Sequence, residues 1–415
     1  MLTILLLIII YISFISLGLP DSLLGSAWPS MYNLLNVPLH FAGIVSMIIA
    51  GCSVISSVFS EKVISRFNTG VVTLVSVLMT AAALIGFSFS GSFIFLCIFA
   101  IPLGLGAGSV DAALNNYVAL HYKARHMSWL HSFWGVGATI GPVIMSSFLL
   151  RGDSWTLGYR TIGIIQFCLV FILFISLPLW DKNKPQNNSA ERDAKHDTNH
   201  ESERKSIKLS KMLSVAGVKE VLITFFCYCT IEAVTGLWGA SYLVMEKKIS
   251  PEIAAQWIAL YYFGITAGRF LSGFITMKLS NRQMVRMGQI IIGCGIVILV
   301  LPFTDALLLP GLFIIGLGCA PIFPSLIHET PVNFGKEYSQ AIMGMQVGSA
   351  YIGITIMPPL FGWLASYLSF SIFPVFLAIV LLVKIVLVEI MNRKVDRNRR
   401  CGKDEKKILT TNNTN

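Results

Sequence analysis

The stretch Gly18-Leu19-Pro20-Asp21-Ser22-Leu23-Leu24-Gly25-Ser26-Ala27-Trp28-Pro29-Ser30 sets an acid inside a run that is otherwise almost wholly apolar from the first residue. Its punctuation returns in Glu232-Ala233-Val234-Thr235-Gly236, followed by Ser241: the acid, the glycine four later and the serine nine later all recur at an offset of 211. A charge near the centre of a bilayer helix costs at least about 2.5 kcal/mol, so an ionisable residue there is a functional candidate by default. The two stretches read as a duplicated membrane unit with one buried acid in each copy.

Composition agrees. With 55% hydrophobic and 13% charged residues over 415 positions, and a mean hydropathy of +0.72, the chain has too few charges to clothe a soluble globule of its size. Twelve apolar stretches are long enough to cross about 30 Å of hydrocarbon, which takes about 20 helical residues. They lie near 3–30, 40–59, 70–89, 92–119, 128–150, 158–180, 218–244, 252–277, 283–303, 306–327, 339–365 and 369–390. The expected fold class is an all-α membrane protein of twelve transmembrane helices in two six-helix bundles related by pseudo-two-fold symmetry. Residues 1–180 form the first bundle and 212–391 the second, with a polar linker at 181–211 and a basic tail at 392–415. The linker has almost no apolar residues and cannot fold alone. Deeper in the bundles, Gly104-Leu105-Gly106 matches Gly316-Leu317-Gly318 at an offset of 212.

Met1 to Ile10 lacks a positive leader and continues into Asp21 without a cleavage pattern, so it reads as the first span rather than a secretory signal. Seven of the eight cysteines fall inside spans, as small core residues rather than a disulfide framework or metal site. The net charge of +10 is positional. Of the 31 Lys and Arg, four (Arg151, Arg160, Lys247, Lys248) fall in one set of loops, Arg269 and Lys384 within spans, and the other 25 in the opposite loops, linker and tail. Positive residues favour the cytoplasm, so both termini are expected there, in a multi-pass protein of the cell membrane. The basic tail, Arg393 to Lys407, is expected against anionic lipid headgroups. The distribution gives no reason to expect nucleic acid.

In Gly104-Leu105-Gly106-Ala107-Gly108-Ser109-Val110-Asp111-Ala112-Ala113-Leu114-Asn115-Asn116-Tyr117, Asp111 and Asn115 are four apart and share a helix face. Gly104 and Gly108 form a stripe that lets a neighbouring backbone approach. They lie inside an apolar helix and lack a third glycine at the right spacing, which excludes a dinucleotide fingerprint. Low dielectric disfavours a charged carboxylate, the condition for a group that takes up and gives back protons. No basic residue in the first six spans offers Asp21 or Asp111 a permanent partner. Both are proton-carrying candidates, with Glu232 the symmetry mate of Asp21.

In the fifth span, His131 and Trp134 are three apart and can face one cavity, an aromatic plate for a sugar ring beside an imidazole for a hydroxyl. Interfacial anchoring is the competing explanation for such a Trp. In the second half Tyr228, Trp238, Tyr261, Tyr262, Gln346 and Tyr351 are candidates to line the path, Gln346 foremost because a lipid-facing position disfavours it. Arg269, near the end of the eighth span, reads as a gating or loop-anchoring residue that snorkels to the interface, and Glu61, Lys62 and Arg66 occupy the corresponding loop of the first half.

On these residues the chain resembles the fucose-permease-like branch of the major facilitator superfamily, the proton-coupled sugar symporters. The resemblance implies two parallel six-helix halves flanking a midplane site. Asp21 resembles the first-helix Asp and Asp111 the fourth-helix acid of that branch, which implies proton coupling for both and sugar recognition shared between them. Where that branch carries amides in the fifth helix, this chain has His131 and Trp134, which implies a hexose or polyol other than fucose. A second resemblance, Gly137-Ala138-Thr139-Ile140-Gly141-Pro142, is to the fifth-helix motif of drug/proton antiporters, though Val143 and Ile144 stand where that motif ends in glycines. The expected partners are a small neutral solute, protons and the bilayer. Import with protons is expected, export of amphipathic drugs is the alternative, and a receptor that kept the fold is a third. The chain is expected to work as a monomer without a cofactor beyond the proton gradient. No metal spacing, nucleotide loop or nucleophile elbow points to an enzyme.

Overall fold

The computed structural model describes residues 2–122, 124–182, 212–301 and 307–412. Among them every regular element is helical. Twelve helices are long and apolar enough to cross a bilayer: Ile4–Met31, Leu39–Phe67, Thr69–Ser88, Phe93–His121, Trp129–Leu150, Trp155–Trp180, Val218–Met245, Pro251–Ile275, Asn281–Val300, Leu308–Phe334, Tyr338–Tyr367 and Phe370–Arg399. Hydrocarbon offers backbone N–H and C=O groups no partner, so each span must satisfy its own as helix. The chain is an integral, multi-pass membrane protein. Most of the expected linker, 183–211, lies outside the described residues.

The duplication is visible in the packing. Span 1 lies against span 5, 2 against 4, and 3 against 4 and 6; six spans on, 7 lies against 11, 8 against 10, and 9 against 10 and 12. Individual contacts repeat as well. Gly104 meets the carbonyl of Ile49 and Gly316 that of Tyr261, while Gly106 meets the carbonyl of Ser76 and Gly318 that of Gly288, and each of these four residues recurs at an offset of 212. Gly108, one turn beyond Gly104, sits on the backbone of Ser53. Two serines complete this seam, Ser53 Oγ donating to the Gly104 carbonyl at 2.9 Å and Ser57 Oγ to that of Gly108 at 3.1 Å.

The halves touch through spans 5 and 8, through their symmetry equivalents 2 and 11, and through the outer part of span 1 against span 7. Gly25 meets the carbonyl of Gly236, its own copy in the repeat, whereas Gly236 faces the Tyr262 hydroxyl. Gly43 meets Pro359 and Ser146 Oγ donates to the Glu252 carbonyl at 2.8 Å. Gly25, Gly43 and Ser146 lie toward the end of the bundles away from the linker, while Gly135 against Thr266 and Arg269 against His131 join the halves nearer the linker.

Two boundaries differ from expectation. The second span continues to Phe67, so Glu61, Lys62 and Arg66 are helical rather than in a loop. The chain turns at Asn68 alone, whose positive φ of 63° ends one helix while its side chain accepts from Val71 N at 3.0 Å and starts the next. The last helix continues through the expected tail, from Phe373 to Asn412. Several of its charges find protein partners. Arg282 bonds Asp396 through two nitrogens at 2.9 Å, Arg286 pairs with Glu389 at 2.7 Å, Lys394 with Glu220 at 2.5 Å, and Arg399 donates to the Val332 carbonyl at 2.5 Å. Exposed pairs of this kind contribute at most about 1 kcal/mol each.

Because Gly108 sits on backbone, Gly108→Leu is expected to destabilise by about 1–3 kcal/mol through overpacking. Thermal melting of the detergent-purified protein measures it, with Gly344→Leu as a control, since open space surrounds that position.

Candidate functional site

Pro20 carries no N–H and cannot continue the helical ladder. The first span accordingly breaks in two, Leu2–Asp21 and Leu23–Met31, with Asp21 at the break. The seventh span, which carries Glu232, runs unbroken from Val218 to Met245. Asp21 is exposed within the bundle. Its Oδ2 accepts a hydrogen bond from Trp134 Nε1 at 2.7 Å. Three glycines bring Trp134 that close: Gly18 abuts the carbonyl of Trp134, Gly137 that of Ile15 and Gly141 that of Leu19, so spans 1 and 5 cross backbone on backbone.

On the fourth span Asn115 Nδ2 donates to Asp111 Oδ1 at 2.9 Å. The other side of that amide, Oδ1, is buried without a hydrogen-bond partner. Asp111 is half-buried and close enough to Asp21 for each charge to act on the other. Tyr351, from the eleventh span, reaches within range of Asp111 and bonds to Ser57. Both acids are thus held by neutral donors, and no ion pair among the described residues involves either.

The acid of the second half is bound differently. Glu232 accepts from the hydroxyl of Tyr228 on its own helix and pairs with Arg269 across 3.8 Å, each side chain of the pair about one-fifth exposed. Tyr261 donates to the Glu232 backbone carbonyl at 3.0 Å. The Arg269 guanidinium lies 4.9 Å from the Trp134 ring centre, a cation over an aromatic face. Its Nη1 also donates to the His131 carbonyl at 3.4 Å. Glu232, Arg269, Trp134 and Asp21 therefore form one continuous contact from the second half into the first. Tyr262, on the eighth span, feels the charge of both Asp21 and Glu232.

Asp21, Asp111, Asn115, His131, Trp134 and Glu232 come together through these contacts. Gln346 does not. It is fully buried inside the second bundle, where its Oε1 accepts from Thr330 at 3.0 Å, because an amide in that interior pairs with the nearest hydroxyl rather than with solute. Arg269 also departs from expectation: its side chain turns inward to Glu232 and Trp134 instead of snorkelling out. The signal for that was an acid one span earlier in the same half. Arg66 sits beside the Phe67 ring at 5.6 Å, in the last turn of span 2, far from the chamber. Lys384, fully buried in the twelfth span, has no hydrogen-bond partner and lies near Cys227 and Cys319.

The sequence profile described as Major Facilitator Superfamily matches residues 10–345 and again 221–409. The chain belongs to the Major Facilitator Superfamily. Among its relatives, the glucose/mannose transporter GlcP of Bacillus subtilis is 26% identical over 315 residues, 73% of each chain. The bypass of stop codon protein 6 of Saccharomyces cerevisiae is 26% identical over 290 residues, 66% of this chain and 57% of that one. The cis,cis-muconate transport protein of Acinetobacter baylyi is 22% identical over 355 residues, 81% of this chain and 80% of that one. A crystal structure of the peptide transporter POT superposes with a TM-score of 0.72 at 13% identity, covering 94% of both chains. That likeness is one of fold, the major facilitator fold, and the superfamily is one of transporters.

Removing Arg269 strands the Glu232 carboxylate. Arg269→Met is expected to destabilise by about 1–3 kcal/mol, toward the low end because both side chains are partly solvated. Adding Glu232→Gln recovers part of the loss, as a double-mutant cycle of melting temperatures reads directly.

Proposed function

We propose that the chain imports a small neutral hydrophilic solute of the sugar class together with protons, by alternating access, in the cell membrane with both termini on the cytoplasmic side. One observation carries the reading. Asp21 and Asp111 share a chamber between the halves, and each is held by a neutral hydrogen-bond donor with no cation to fix its charge. Such carboxylates can cycle between protonated and ionised forms, whereas Glu232, paired with Arg269 and Tyr228, is held as a fixed element of the site.

The charge inventory supports a neutral solute. Three acids face one arginine, and that arginine is already engaged by Glu232 and the Trp134 ring. An anionic solute would meet excess negative charge. A polyhydroxylated ring fits better, with the carboxylates as acceptors for its hydroxyls and the Trp134 plane for its apolar face. The glucose/mannose transporter among the relatives supports the same class.

Protonation of either acid removes the charge repulsion between them and weakens the hydrogen bond it accepts. A proton thereby changes the relative free energy of the inward and outward arrangements, as coupling requires. The glycines of the antiporter-like stretch have a packing role against the first span, at Ile15 and Leu19, which removes one reason to read drug efflux from them.

Under an inward proton gradient in proteoliposomes, an importer accumulates sugar on the side that protons enter, and an exporter depletes it there. Asp111→Asn is expected to keep solute binding and equilibrative exchange while losing accumulation above the external level. Undiminished uphill uptake by that variant refutes the proton role.

A further inference from the structure

We propose that Gln166, in the sixth span, is a positioning residue for Asp21, acting through the proline break that precedes it. The proposal rests on the reading of Asp21 as a functional carboxylate. In a helix the carbonyl of residue 16 would accept from the N–H of residue 20. That residue is Pro20, so the Ser16 carbonyl loses its partner at mid-membrane depth, where an orphan carbonyl is costly. Gln166 Nε2 supplies the missing donor, reaching the Ser16 carbonyl at 2.8 Å.

The amide is itself held. Its Oε1 accepts from Thr80 Oγ1 on the third span at 2.7 Å, and the side chain is 1% exposed. Spans 3 and 6 thus grip the first span one turn before Asp21. Beside this grip lies a small cavity with room for about one water, lined by Ser13, Ser16, Thr80 and Gln166 together with the apolar Leu17, Pro20, Val77 and Val110. Two of its apolar members, Pro20 and Val110, immediately precede the two acids, so the break and the amide lie beside the backbone that carries both carboxylates.

Held this way, the break aims Asp21 at Trp134 rather than letting the first piece of the helix rotate. Gln166 touches neither acid and no part of the chamber, so it acts on Asp21 only through the backbone. A glutamine whose role were merely to fill the bundle would not depend on residue 20. Pro20→Ala returns an N–H to the helix and gives the Ser16 carbonyl its ordinary partner, which makes the dependence measurable.

The test uses the full-length protein in detergent and two readouts that need no solute: thermal melting, and the rate at which dicyclohexylcarbodiimide modifies Asp21 at fixed pH, followed by peptide mass spectrometry. Gln166→Leu is expected to lower the melting temperature and to raise Asp21 labelling several-fold, as the carboxyl leaves the shelter of the Trp134 indole. Gln166→Glu, which when neutral can donate to Ser16 and accept from Thr80, is expected to behave as the native protein. In the Pro20→Ala background the melting loss caused by Gln166→Leu is expected to shrink. If Gln166→Leu does not fold, Thr80→Val, which frees the amide, is expected to raise labelling less strongly. Native labelling in the folded variant, or an equal melting loss in both backgrounds, overturns the proposal. Absence of sugar binding by the native protein, with this pattern intact, would sink the sugar reading and leave the positioning role standing.

Discussion

A carboxylate at mid-membrane depth must be wetted, neutralised or paired, and this chain uses different solutions in its two halves. Asp21 and Asp111 take hydrogen bonds from an indole and an amide, with no cation among the described residues paired to either. Glu232 is paired with Arg269. The first solution works only if solvent reaches the acids, so the halves cannot be sealed against one another along their whole length. Asp21 is exposed inside the bundle.

What holds the helices together around such a chamber is close backbone approach. Lipid tails are as apolar as leucine, so burial gives neighbouring spans little reason to associate, and packing and hydrogen bonds must supply it. The seams answer this with glycine against carbonyl: Gly104 on Ile49, Gly316 on Tyr261, Gly18 on Trp134, Gly25 on Gly236. Gly25 follows Asp21 by one turn, and its copy Gly236 follows Glu232 by one turn but lies against the Tyr262 hydroxyl, so each half needs a small residue there against a different neighbour.

The twelve spans, the duplication and the acidic motifs were legible in residue order because depth in a bilayer is written in hydropathy, and symmetry in offsets of 211 and 212. Partners across space were less so. Arg269 read as a surface anchor because its neighbours in sequence put it near a span end, and only the facing helix shows Glu232 and Trp134 within reach. Gln346 read as a ligand because an amide in a membrane span invites that inference, yet Thr330 lies sixteen residues away and meets it inside the bundle. The final helix overran its apolar stretch because its charges at Glu389, Lys394 and Asp396 match charges on the ends of spans 7 and 9, a complementarity that hydropathy does not record.

Duplication makes two equal halves, and transport coupled to a driving ion needs them to be unequal. Pro20 breaks the first span at its acid, while the seventh span passes Glu232 without interruption. A break frees backbone groups and lets a short segment turn, so the acid beside it can change partners at modest cost. An unbroken helix holds its acid in one place, and Arg269 pairs with it there. The halves are joined where these two designs meet, with Arg269 lying over the same Trp134 ring whose N–H binds Asp21. A change in the charge of Asp21 therefore acts on a side chain that the fixed half already grips, and the force it produces falls across the interface between the bundles rather than within one of them.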